Sequence, residues 1–119
     1  MTDLSKITCI EDLRLLAKRR VPRMFYDYAD SGSWTERTYR ANQADFQPIL
    51  FKRGVAINME GRSTATTMSG QPVSMPVAIA PTGLTGMQHA DGEIAAARAA
   101  KKFGIPFTLS TMSICSIED

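Results

Sequence analysis

The residues best suited to chemistry lie in the stretch Pro81-Thr82-Gly83-Leu84-Thr85-Gly86. It follows the apolar run Met75-Pro76-Val77-Ala78-Ile79-Ala80-Pro81, which reads as a strand buried on both faces. The stretch therefore falls at the C-terminal edge of a strand, where α/β and barrel proteins bind their ligands. Glycine at that edge lets a backbone N–H approach a flat ring closely, because no Cβ intervenes. The stretch is neither a Walker loop nor a GxGxxG fingerprint, and by pattern alone an ordinary βα loop is the plainer reading. Ser110 ends a second apolar run, Ile105 to Ser110, at the same edge. Its hydroxyl can face the same ligand, or simply cap a turn. Tyr26, Asp27 and Tyr28 form a further polar group, but Met24, Phe25 and Tyr28 share one helical face and are expected to point inward. A buried tyrosine ordinarily tethers its O–H structurally. His89, the single histidine, suits a solvated or capping position better than a base.

Two unlike parts must position these residues. The first, about 8–45, reads as helical. Thr8-Cys9-Ile10-Glu11 fits a capping box, and Leu13, Leu16 and Ala17 repeat at helical spacing before Lys18, Arg19 and Arg20. A second helix is expected from Pro22 to Ser31, closed by Gly32. Ser33-Trp34-Thr35-Glu36 is a second candidate capping box, opening a third helix to about Asp45. The second part is mixed. Short strands are expected at Ile49–Lys52 and Ala65–Met68 (within about 49–68), then a turn at Gly70-Gln71-Pro72. A βαβ unit over about 75–110 follows, with its helix from Gly92 to Phe103 ended by Gly104.

Composition excludes several classes. With 14 Lys plus Arg against 12 Asp plus Glu, the net charge of +2 gives no case for nucleic acid. Cys9 and Cys115 lie at opposite ends of the chain without a CxxC or Cys/His cluster, which argues against a disulfide or zinc framework and for a reducing cytoplasm. The first residues show no apolar secretory segment, and no run approaches the roughly 20 residues that span a bilayer. Peripheral attachment to the inner face of the cell membrane stays open.

The run Ala78 to Met87, with Gly92-Glu93, Ala97-Arg98-Ala99-Ala100 and Gly104 to Thr111, resembles the first βαβ of the FMN-dependent 2-hydroxy acid dehydrogenase/oxidase family. Upstream, Pro22 to Tyr28, Ser31-Gly32 and Arg40-Ala41-Asn42 are similar to its N-terminal helical segment, and Phe46 to Arg53 to its next strand. The resemblance implies an α/β fold, the N-terminal portion of a (β/α)8 TIM barrel preceded by a short helical segment. It implies FMN as cofactor, with Pro81, Thr82 and Gly83 touching the flavin near N5 and Ser110 hydrogen-bonding it. Tyr28 matches the tyrosine whose phenol binds the substrate carboxylate, against the structural reading above. His89 matches no catalytic position.

The implied reaction is oxidation of an L-2-hydroxy acid by hydride transfer to flavin N5, with a quinone or cytochrome as electron acceptor and a homo-oligomeric parent protein. In this family a histidine takes the hydroxyl proton, arginines clamp the carboxylate and a lysine lies near N1. None of these is matched here, so no catalytic residue is expected within the chain. A barrel needs roughly 250 residues, and the chain is expected to be part of a longer one. Met112 stands where glycolate oxidases carry tryptophan and Gly83 where they carry alanine, which leans away from glycolate. Ile105 to Ile117 is most like bacterial respiratory L-lactate dehydrogenases, so L-lactate is the expected acid. Mandelate- or glycolate-type oxidation, another FMN barrel such as an isomerase, and a non-catalytic stand-alone α/β module are the alternatives.

Overall fold

The computed structural model describes residues 4–119. After a 3₁₀ turn at Leu4–Lys6 come three helices, α1 (Ile10–Arg20), α2 (Arg23–Asp30) and α3 (Arg37–Ala44). Helix α1 opens differently from the expected capping box. The Asp12 carboxylate, not that of Glu11, accepts the Thr8 and Cys9 N–H groups at 2.9 and 3.3 Å and the Thr8 hydroxyl at 2.8 Å. Glu11 is instead taken by Arg14. The second expected box does not form either. Trp34 and Glu36 adopt positive φ (57° and 58°), and Glu36 turns its carboxylate to the Gly32 N–H and to Arg40.

The face that α2 buries also departs from expectation. Phe25 is half-buried as expected, but Met24 and Tyr28 are exposed and Tyr26 is the buried aromatic. The decisive contacts are polar. Tyr26 Oη donates to Asp30 at 2.7 Å and accepts from Arg14 of α1 at 2.9 Å, while Arg14 also pairs with Asp30 at 2.8 Å. Tyr26 and Asp30 stand at i, i+4 and so present one face to α1.

No strand forms at Ile49–Lys52, and Phe51 is fully exposed. A strand needs a partner edge, and among the described residues none pairs with this one. Strands β1 (Thr66–Met68) and β2 (Gln71–Val73) pair antiparallel, Thr66 opposite Val73. Their turn is Ser69-Gly70, both at positive φ as a two-residue hairpin requires, so Gln71 and Pro72 lie in the strand rather than the turn. The run after β2 meets the second apolar run through one parallel bridge, Ile79 to Phe107, with Ile79 N–H on the Pro106 carbonyl (2.9 Å) and Thr108 N–H on the Ile79 carbonyl (3.2 Å). Pro76, Pro81 and Pro106 have no N–H to lengthen this ladder. Among the described residues the run is bridged on one side, and Val77 is half exposed.

Helix α4 (Thr85–Gln88) occupies part of the expected loop, and α5 (Gly92–Phe103) joins the two runs. Gly104 at φ 66° ends α5 by donating to the Lys101 carbonyl, while Ile105 N–H reaches that of Ala100. That pair of bonds is a Schellman motif, for which glycine is favoured. The hairpin is seated on this helix end through Ser74, whose N–H bonds the Gly104 carbonyl and whose hydroxyl bonds that of Phe103.

Candidate functional site

The Ile79–Phe107 bridge brings the C-terminal ends of both apolar runs to one edge. The loops beyond it are joined: Leu84 N–H donates to the Met112 carbonyl at 2.9 Å, and Met112 N–H donates to Ser110 Oγ at 3.0 Å. A Cβ on Gly83 would lie 2.7 Å from Met112 Cβ and 3.3 Å from Ser110 Oγ. Gly83 and Ser110 are thus neighbours, and a Cβ at position 83 would crowd Met112 in this chain.

This edge fits a flat, polar-rimmed ring. Pro81 and Thr82 are exposed, and the Thr82 and Gly83 N–H groups have no hydrogen-bond partner among the described residues. Ser110 Oγ accepts from Met112, leaving its own O–H proton available to a ligand. Tyr28 is not brought into contact with these loops. It is 70% exposed on α2, and its phenol has no partner among the described residues. Helix α2 does pack against α4, which follows the Gly83 loop, and Gln88 Nε2 donates to the Phe25 carbonyl at 2.7 Å. His89 is exposed and its Nδ1 lies 2.6 Å from the Ala90 carbonyl oxygen.

Glu93 is a buried carboxylate that sequence reasoning passed over. Its Oε1 accepts the Ile114 N–H at 3.3 Å, linking the start of α5 to the chain beyond Ser110. Burial pushes this carboxyl up, but its own N–H, the Thr85 side chain and the N–H groups of Ile114 and Gly86 around it outweigh burial and hold it below its ordinary range. The signal was its place in the first turn of a helix, where a negative charge is favoured.

Residues 17–119 match the family model described as FMN-dependent dehydrogenase. The chain belongs to the FMN-dependent dehydrogenase family. It is 45% identical over 113 residues to an L-lactate dehydrogenase of Stenotrophomonas maltophilia (strain R551-3), covering 95% of this chain and 30% of that protein. A soluble mutant of the membrane-associated (S)-mandelate dehydrogenase of Pseudomonas putida superposes with a TM-score of 0.89 at 43% identity, over 96% of this chain and 33% of that one. A monotopic membrane (S)-mandelate dehydrogenase gives 0.88 at 42% identity, over 96% and 31%. The family member described here is therefore an α/β portion of the FMN-dependent TIM-barrel fold, spanning about a third of the chains it matches. Among the described residues, no helix is long and apolar enough to cross a membrane.

Proposed function

We propose that the protein oxidises an L-2-hydroxy acid, L-lactate before other acids, and that this chain supplies one wall of the FMN site and one substrate contact. The carrying observation is the convergence of Gly83 and Ser110 at one strand edge, with unpartnered backbone N–H groups beside them. Bound FMN would supply the acceptor for a hydride from the 2-carbon of the acid. The Pro81, Thr82 and Gly83 backbone would hold the ring near N5, and the Ser110 hydroxyl would donate to a ring acceptor. The protein's part in such chemistry is orientation and charge. Tyr28, whose phenol has no partner among the described residues, would give its O–H to the acid's carboxylate. Glu93 and Met112 would hold the two loops in register from behind.

The 45% identity to L-lactate dehydrogenases supports lactate, and the match to mandelate dehydrogenases supports mandelate as the second reading. The membrane association of those relatives supports a peripheral membrane location with a quinone or cytochrome as electron acceptor. The test is anaerobic mixing of the FMN-loaded, full-length protein with L-lactate or (S)-mandelate, followed by turnover with a dye acceptor. Flavin bleaching by lactate at rates of order 1 s⁻¹ or faster is expected of an enzyme. Faster bleaching by mandelate would favour the second reading, and bleaching by neither acid would defeat both.

A further inference from the structure

We infer that Gln88 is a positioning residue that couples the helix carrying Tyr28 to the Pro81–Leu84 loop. The inference rests on the substrate role proposed for Tyr28. Three observations carry it. The side-chain amide of Gln88 crosses 63 residues of sequence to donate to the Phe25 carbonyl at 2.7 Å, in a half-buried position. Tyr28 stands three residues beyond Phe25 in α2, on the same face of the helix. On the other side, α4 begins directly after Leu84, whose own N–H is fixed by the Met112 carbonyl. A displacement of the loop is therefore passed to α2 through α4 and this amide.

Gln88 is not the only brace on α2. Helix α2 is braced laterally by Arg14, through Tyr26 and Asp30. The Phe25 carbonyl falls within the ordinary i to i+4 ladder of α2 and uses its second lone pair for the amide. Removing the amide leaves no buried acceptor empty, so the fold should survive while the placement of Tyr28 loosens. Loss of a ground-state contact appears in KM rather than kcat.

The experiment compares Gln88→Leu, Gln88→Lys, Tyr28→Phe and the Gln88→Leu/Tyr28→Phe double variant in the FMN-loaded, full-length protein. For Gln88→Leu we expect KM for the acid to rise about 3- to 10-fold, the range of one neutral hydrogen bond, with kcat and FMN affinity little changed. Gln88→Lys, which keeps a donor, should recover most of the KM. In the Tyr28→Phe background the Gln88→Leu effect should vanish, as for coupled residues. In flavin-free protein, Gln88→Leu should speed amide exchange in α2 by a similar factor and leave α5 unchanged. If Tyr28→Phe raises KM but Gln88→Leu does not, or raises it equally in both backgrounds, the coupling is overturned and the substrate reading survives. If Tyr28→Phe itself leaves KM unchanged, the substrate reading fails; unaltered α2 exchange would then overturn the coupling as well.

Discussion

The helical segment and the βαβ segment are held together by different means. Helices α1 and α2 are joined by side chains, with Arg14 bonded at once to Glu11, Tyr26 and Asp30. The βαβ segment is joined mainly by backbone: the Ile79–Phe107 bridge, the Leu84–Met112 bond and the Schellman end of α5. The contrast matches what each would contribute. A ring wall is built from backbone N–H groups that need close packing and glycine, whereas a carboxylate contact is one phenol on a helix that charged side chains hold in place. Substitutions in the first region should act through charge and hydrogen bonding, and in the second through shape.

The largest expected effect lies in the helical segment. Tyr28→Phe in the full-length, FMN-loaded protein should lower kcat/KM for L-lactate by about 10- to 150-fold, the loss of a hydrogen bond to a charged group at roughly 1.5–3 kcal/mol. Its melting temperature should hardly change, because the phenol holds no hydrogen bond among the described residues. An unchanged kcat/KM with a lowered melting temperature would make Tyr28 a structural tether and erase the functional half of the comparison. The next effect belongs to shape. Gly83→Ala places a Cβ 2.7 Å from Met112 Cβ and 3.3 Å from Ser110 Oγ. Overpacking of this kind costs about 1–3 kcal/mol. Denaturant unfolding should show that loss together with weaker FMN binding, and adding Met112→Gly should recover part of it. A neutral Gly83→Ala would mean that the loops are not interlocked.

Features set by nearby residues were legible in the sequence, and those set by distant partners were not. Helix α5 and its Gly104 end follow from the Ala-rich run and the glycine after it, because every bond of that end lies within six residues. The common edge of Gly83 and Ser110 follows from two apolar runs spaced as one βαβ. The expectation of a strand at Ile49–Lys52 fails because apolar character alone supplies no partner. Apolar character also misassigned part of the inner face of α2: it favoured Met24, Phe25 and Tyr28, of which only Phe25 is half-buried, whereas Arg14, twelve residues before Tyr26, selects Tyr26 and Asp30. The first capping box shifts for a related reason, since Glu11 and Asp12 compete for one helix start and Arg14 removes Glu11. Gln88 is readable only from the folded chain, because its partner lies 63 residues away. The roles proposed for Pro81, Thr82, Gly83, Ser110 and Tyr28 rest on family resemblance and not on pattern.

A smaller effect sharpens the claim that charged side chains hold the helical segment. Tyr26→Phe removes the O–H that donates to Asp30 and accepts from Arg14, yet leaves those two paired with each other at 2.8 Å. The melting temperature should fall by only a few degrees, on the scale of one net hydrogen bond. Burial, then the bond to Asp30, already raises the Tyr26 phenol above its ordinary 10.0, so it stays protonated through the neutral range. Activity per folded molecule should be unchanged. A collapse of kcat/KM without loss of fold would instead place Tyr26 in the substrate site.

The smallest effect concerns acid, and its sign follows from the depressed carboxyls. The Arg14 hydrogen bond holds Glu11 below its ordinary 4.5, and the Thr8 N–H and hydroxyl hold Asp12 below its ordinary 3.8. In the βαβ segment, surrounding N–H groups and the Thr85 side chain outweigh burial to hold Glu93 below 4.5. A carboxyl depressed in the folded state contributes stability that is complete above its unfolded value and lost as pH falls through its folded value. Melting temperature should therefore be flat from neutral pH to about 4.5 and decline below it. Glu11 is exposed, so salt should weaken its contribution, whereas the buried Glu93 should be screened much less. The measurement is melting temperature against pH at low and high salt for the wild type, Glu11→Gln and Glu93→Gln. Glu93→Gln should flatten the acid limb at both salt levels, and Glu11→Gln should do so weakly and only at low salt. The reverse ranking would mean that exposed charge, rather than the backbone groups around Glu93, sets the acid limit of the βαβ segment, and the contrast between the two segments would fail there.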